Sequence, residues 1–67
     1  MYGERLKLLR KERKVPQKKL AELLDMGIRG YQCYESETNE PNIKTLILLA
    51  DFYDVSIDYL VGRTDAP

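Results

Sequence analysis

Apolar residues recur every three or four positions through most of the chain, and no stretch alternates as a half-buried strand does. Leu6 and Leu9 follow Tyr2 at this spacing, and Leu24 follows Leu20. The periodicity predicts five short helices, over about residues 3–13, 16–24, 28–36, 43–53 and 57–61. The pattern therefore predicts an all-α fold.

Residues that favour helix ends stand between these segments. Pro16 suits the first position of the second helix, where a missing N–H costs nothing. Asp25 tolerates a left-handed backbone, and Gly27 is an acceptable N-cap for the third helix. Asn42 and Ser56 are predicted to cap the fourth and fifth helices.

The third helix has two different sides. Tyr31 and Tyr34 are three residues apart and predict its packed side. The opposite side carries Ile28, Arg29, Gln32 and Cys33.

Length and composition exclude several classes of protein. A chain of 67 residues makes one domain with a modest core, expected over residues 1–62, and residues 63–67 read as a frayed tail or the start of a linker. One cysteine and no histidine argue against a disulfide framework, a zinc site of the usual type and histidine-paired nucleophiles. We expect no enzyme activity, no metal and no cofactor. With no apolar run long enough for a membrane span and no signal peptide, we expect a cytoplasmic protein.

The net charge is zero but unevenly distributed. Residues 1–19 carry eight basic and two acidic side chains, a net charge of +6, and residues 20–67 carry three basic and nine acidic ones, a net charge of −6. The basic segment suits a solvated helix face or an edge that faces DNA phosphates equally well.

The second and third helices are joined by the short turn Asp25-Met26-Gly27. Two helices joined in this way form a helix-turn-helix, in which the second helix can lie in the major groove of DNA. The same geometry also occurs in proteins that bind no DNA.

Motifs in register make nearly the whole chain, from about residue 3 to residue 65, resemble the phage-repressor and Cro-type helix-turn-helix family. These motifs are Leu9-Arg10, Gln17 with Leu20-Ala21, Tyr34-Glu35 and Glu40-Pro41-Asn42. The closing segment VSIDYLVGRTD is similar to that of repressors from Gram-positive bacteria and their phages. The resemblance implies a lambda-repressor-like DNA-binding domain of a bacterial or phage transcriptional regulator, with repression favoured. The family usually has Ser or Thr at Pro16 and Gly27 and Gly at Asp25, so these departures leave the helix starts open.

The resemblance also implies roles for individual residues. Arg10 and Glu35 are expected to form an ion pair that ties the first helix to the end of the recognition helix, residues 28–36. Gln17 is expected to contact a DNA phosphate, and Lys18 to add charge beside it. The remaining basic residues of the first helix would stay free for phosphates.

Side chains on the exposed side of the recognition helix are candidates for reading bases. Arg29 suits guanine O6 and N7, and Gln32 suits adenine N6 and N7. Ile28 contacts a thymine methyl group or only packs at the helix start. Cys33 packs on a sugar or methyl group, and a redox role is the less common alternative. Gly30 allows close approach to the groove floor or is a neutral choice at an exposed position.

The expected partner is double-stranded DNA. A homodimer would present two recognition helices, about 34–36 Å apart, to a near-palindromic operator. The candidate dimer surface lies on the fourth and fifth helices, with Tyr53, Ile57, Tyr59 and Val61. The zero net charge and the acidic second segment favour an alternative: a protein-interaction module, or the head of a larger regulator, that uses the same body without reading bases.

Overall fold

A computed structural model describes all 67 residues and contains five helices and no strand. The helices are α1 Tyr2–Glu12, α2 Gln17–Leu23, α3 Ile28–Glu35, α4 Ile43–Tyr53 and α5 Ile57–Leu60. The all-α prediction is confirmed. Pro16 lies one position outside the helix that it was predicted to open, because its backbone is extended (φ −74°, ψ 153°) and it serves as the N-cap of α2.

All five helices contribute side chains to one core. Its members are almost wholly withdrawn from solvent: Leu6, Leu9, Leu20, Ala21, Tyr31, Leu49, Ala50, Tyr53 and Leu60. Full burial of a leucine-sized side chain stabilises the folded state by about 1.5–3 kcal/mol. Because this core is assembled from every helix, it fixes the position of α3 relative to α1 and α4.

Local hydrogen bonds and turns define the boundaries of the helices largely as the sequence predicts. The Asn42 side chain accepts a hydrogen bond from the backbone N–H of Thr45 at 2.8 Å, which confirms it as the cap of α4. Ser56 caps α5 in the same way. Asp25 has a positive φ of 55° in the turn before α3, the left-handed conformation expected there.

A close approach of α1 to the end of α3 depends on Gly3. A Cβ atom built at Gly3 would overlap the backbone carbonyl oxygen of Glu35. This contact joins two backbones 32 residues apart in sequence and leaves no room for any larger residue. Gly3 thus sets how closely the first helix packs against the recognition helix.

One expectation about the second half of the chain is wrong. Tyr53 is completely buried in the core and therefore cannot form part of a dimer surface, whereas Ile43 and Ile47 of α4 are 73% and 45% exposed. The tail contacts α1, because Arg5 donates hydrogen bonds to the Thr64 carbonyl at 3.3 Å and to Asp65 at 3.2 Å. None of the helices combines the length and the apolar character that crossing a bilayer requires.

Candidate nucleic-acid interface

The helix α3 is held by the core on one side and is open on the other. Tyr31 is fully buried and packs edge-on against Tyr34, with ring centroids 6.4 Å apart. On the opposite side Ile28, Arg29 and Gln32 are exposed. The side chains expected to read bases therefore lie together on one accessible surface.

A shallow, open hollow on this surface is lined by Arg29, Gln32, Cys33 and Ser36. Cys33 is half-buried at its edge, and its carbonyl accepts a hydrogen bond from the Ser36 hydroxyl at 3.3 Å. Ser36 was not predicted as a site residue, although its position one turn beyond Gln32 and Cys33 was a usable signal. The hollow thus combines charged, amide and hydroxyl groups.

Gly30 is half-buried and lies next to the side chain of Met26. A Cβ atom at this position would lie 2.6 Å from the terminal methyl carbon of Met26, which packs against the core from the turn. A larger residue at this position would therefore require the end of the flexible Met26 side chain to shift. Close approach of Gly30 to a groove floor stays a prediction.

The structure brings Arg10 and Glu35 together as a two-pronged ion pair between α1 and α3. Arg10 Nε donates to Glu35 Oε2 at 2.6 Å, and Nη2 donates to Oε1 at 3.2 Å. The side chains are only 15% and 4% exposed, respectively. Arg10 also donates to the Val15 carbonyl at 3.4 Å, so it links three segments of the body.

The charge state of Glu35 follows from these contacts. Burial by itself would raise the pKa of the Glu35 carboxyl, but the hydrogen bonds that this carboxyl accepts, above all from Arg10, outweigh burial, and the pKa lies below its usual value. The carboxylate is therefore ionised at neutral pH and acts only as an acceptor. The same hydrogen bond raises the pKa of Arg10.

Gln17 lies between this ion pair and the exposed side of α3. Its Nε2 donates to Glu35 Oε1 at 3.2 Å, and its Oε1 accepts from Gln32 Nε2 at 3.0 Å. Gln17 is half-buried, and its amide is turned toward α3. This orientation differs from that of a side chain extended freely toward a DNA phosphate.

Only some of the basic residues of the first segment are free, contrary to expectation. Arg13, like Arg5 and Arg10, forms a hydrogen bond within the protein, because it donates to the Tyr53 carbonyl at 2.9 Å. Arg5 also lies over the Tyr59 ring, 4.0 Å from its centroid, a cation–π contact. The exposed cations of this segment without such contacts are lysines: Lys7, Lys11, Lys14, Lys18 and Lys19.

Comparison with known proteins gives a consistent picture. A family model described as helix-turn-helix matches residues 6–60. The HTH-type transcriptional regulator YobD of Bacillus subtilis is 43% identical over 100% of this chain and 60% of its own length. The cryptic phage CTXphi transcriptional repressor RstR of Vibrio cholerae is 34% identical over 97% of this chain and 59% of its own length.

A solved structure is also similar. The crystal structure of a transcriptional regulator from Listeria innocua superposes with a TM-score of 0.89 at 39% identity, over 92% of this chain and 58% of that chain. The chain thus spans about 60% of the length of the relatives that it matches.

Proposed function

The chain belongs to the helix-turn-helix family, and on that basis we propose that it binds double-stranded DNA sequence-specifically and regulates transcription as a repressor. One observation carries this proposal: α3 has a buried side that fixes it and an exposed side that offers Arg29 and Gln32. A helix held in this way can enter the major groove without rearrangement. Occupation of a promoter by such a domain represses transcription.

We assign each exposed side chain of α3 a contact by its chemistry. The Arg29 guanidinium has donors for guanine O6 and N7. Gln32 has an amide oxygen that can accept from adenine N6 and an N–H that can donate to adenine N7. Ile28 is 44% exposed and suits a thymine methyl group. Cys33 is half-buried beside them and suits a sugar or methyl contact.

Phosphate contacts are assigned to the edge formed by α2. Lys18 is exposed beside Gln17 and offers a positive charge to the DNA backbone. Gln17 keeps one N–H that is not used by Glu35 and can donate it to a phosphate. Because the chain as a whole has no net positive charge, sequence-independent binding is expected to be weak.

The test is fluorescence anisotropy of a labelled operator duplex at several salt concentrations. We expect a linear fall of log affinity with log salt, and a loss of sequence preference in Arg29→Ala and Gln32→Ala. Lys44→Ala is the matched control, because Lys44 is an exposed cation on α4 and belongs to neither α2 nor α3. If no duplex competes better than random DNA, the function fails and a protein partner becomes the better hypothesis.

We further propose a cytoplasmic homodimer, with residues 1–62 as the DNA-binding domain of each copy and residues 63–67 as a polar tail or the start of a linker. One α3 of eight residues presents only a few side chains to bases, and two copies on a near-palindromic operator double that number. Ile43 and Ile47 lie one turn apart on α4 and are both exposed. Ile47→Glu is expected to shift sedimentation toward the monomer; an unchanged dimer would exclude this surface.

A further inference from the structure

A chain of polar contacts joins the buried ion pair to the exposed base-reading surface. Glu35 accepts from Arg10 and from Gln17 Nε2, and Gln17 Oε1 in turn accepts from Gln32 Nε2 at 3.0 Å. Glu35 is 4% exposed, whereas Gln32 is exposed. The contacts therefore run from a group shielded from solvent to one that is exposed to it.

Each contact dictates the orientation of the next amide. An ionised carboxylate has no proton to donate, so Gln17 must turn its NH2 group toward Glu35. The Gln17 oxygen then faces α3, and Gln32 must present its own NH2 group to that oxygen. Turning either amide over would place two oxygens about 3 Å apart without a proton between them.

We propose that Glu35 and Gln17 act as a relay that holds Gln32 with its oxygen outward, and that Gln32 thereby selects a base carrying an amino group, adenine above all. Gln17 is in this view a positioning residue for base recognition. The proposal rests on the proposed function, because it concerns how one side chain of α3 reads DNA.

The remaining hydrogen-bonding groups of Gln32 match adenine. One N–H is used by Gln17, which leaves Oε1 and the second N–H. Adenine offers N6–H as a donor and N7 as an acceptor, so both free groups are satisfied. Guanine offers two acceptors at this edge, and the outward oxygen of Gln32 would face one of them unpaired.

Substitutions at Gln17 test the direction of the relay. Gln17→Met removes both hydrogen bonds and lets the Gln32 amide turn freely. Gln17→Lys supplies donors only, so the ammonium can bond to Glu35 and to the oxygen of Gln32, which forces the NH2 group of Gln32 outward. Lys19→Met is the matched control, because Lys19 is exposed on the same helix and is assigned no contact with DNA.

The base pair that Gln32 reads is first identified as the one at which Gln32→Ala loses its sequence preference. The experiment then measures the affinity of each variant for duplexes that carry adenine or guanine at that position. We expect the wild type and Lys19→Met to prefer adenine by roughly tenfold or more. The preference should fall to about twofold or less in Gln17→Met and reverse in Gln17→Lys. An adenine preference that persists unchanged in both Gln17 variants would overturn the proposal.

The free protein provides a second readout that needs no DNA. In ¹H–¹⁵N spectra, one Gln32 side-chain amide proton should be shifted downfield in the wild type and should lose that shift in Gln17→Met. Equal shifts in the two proteins would also overturn the relay. A wild type that binds no duplex but shows the amide shift would instead defeat the proposed function, and with it base selection, while the relay itself stands.

Discussion

The ion pair of Arg10 and Glu35 is the interaction whose loss we expect to cost the most. Replacing Arg10 with Met keeps a side chain of similar length but leaves the Glu35 carboxylate, 4% exposed, without its main partner. Breaking a buried pair on one side costs about 3–5 kcal/mol. A domain of 67 residues has a total stability of roughly 3–10 kcal/mol, so the variant should be close to unfolding.

Removing both charges should cost much less. In Arg10→Met with Glu35→Leu no buried charge remains, and apolar replacement of buried pairs is often neutral or stabilising. The double variant does forfeit the 3.4 Å bond to the Val15 carbonyl and the 3.2 Å bond from Gln17. Each of these bonds has one charged partner and contributes about 1.5–3 kcal/mol. Because two charges no longer have to be buried, this loss is largely offset, and we expect the double variant to lie within about 2 kcal/mol of the wild type.

Thermal unfolding and urea unfolding, each followed by far-UV circular dichroism, measure these differences. The single variant should melt about 12 °C or more below the wild type, because 1 kcal/mol corresponds to about 4–8 °C for a domain of this size. Lys11→Met is the control, since Lys11 is the exposed neighbour of Arg10 and should change stability by less than about 0.5 kcal/mol. A double variant that is as unstable as the single one would refute the reasoning.

Three further predictions concern stability. Gly3→Ala should lower the free energy of unfolding, measured in urea, by about 2 kcal/mol or more, because the new Cβ atom overlaps the Glu35 carbonyl. Gly27→Ala is the control and should cost well under half of that, because nothing lies within 4 Å of its Cβ position. Equal costs would contradict the close approach at Gly3. The pKa of Glu35 is lower in the folded protein than in the unfolded chain, so its contribution to the free energy of unfolding is present at neutral pH and is lost as the pH falls below about 4.5. Melting temperatures measured at successive pH values should fall over this range, and a melting temperature independent of pH would contradict the prediction. Asn42→Ala should cost about 1 kcal/mol by loss of the cap on Thr45, and an unchanged urea midpoint would argue against that cap.

Local patterns in the sequence predict most of the secondary structure, because helix periodicity and end signals are short-range. The Asn42 cap and the left-handed Asp25 depend on a few neighbouring residues and were predicted from them. Pro16 differs by one position because proline fits both the N-cap and the first helical position, and sequence alone does not separate the two.

Contacts between residues far apart in the sequence could not be predicted from local patterns. The pairing of Arg10 with Glu35 was expected only from the family resemblance. The close approach at Gly3 and the burial of Tyr53 depend on how helices pack, which periodicity does not specify.

The direction of the Gln17 and Gln32 amides likewise required the structure. The oxygen and the NH2 group of a glutamine amide are similar in size, so each amide fits in two orientations. The position of the Glu35 carboxylate next to Gln17 determines which orientation is adopted. Most residues on the exposed side of α3 could therefore be predicted from the sequence, whereas the direction of their hydrogen bonds could not.

Selection of duplexes from a randomised pool tests the central claim most directly. The wild type and Arg29→Ala are taken through the same selection at low and then physiological salt, with Lys44→Ala as a surface control. We predict that the wild type and the control enrich one near-palindromic sequence and that Arg29→Ala loses it. Enrichment of the same sequence by Arg29→Ala, or of none by the wild type, would contradict base reading by α3.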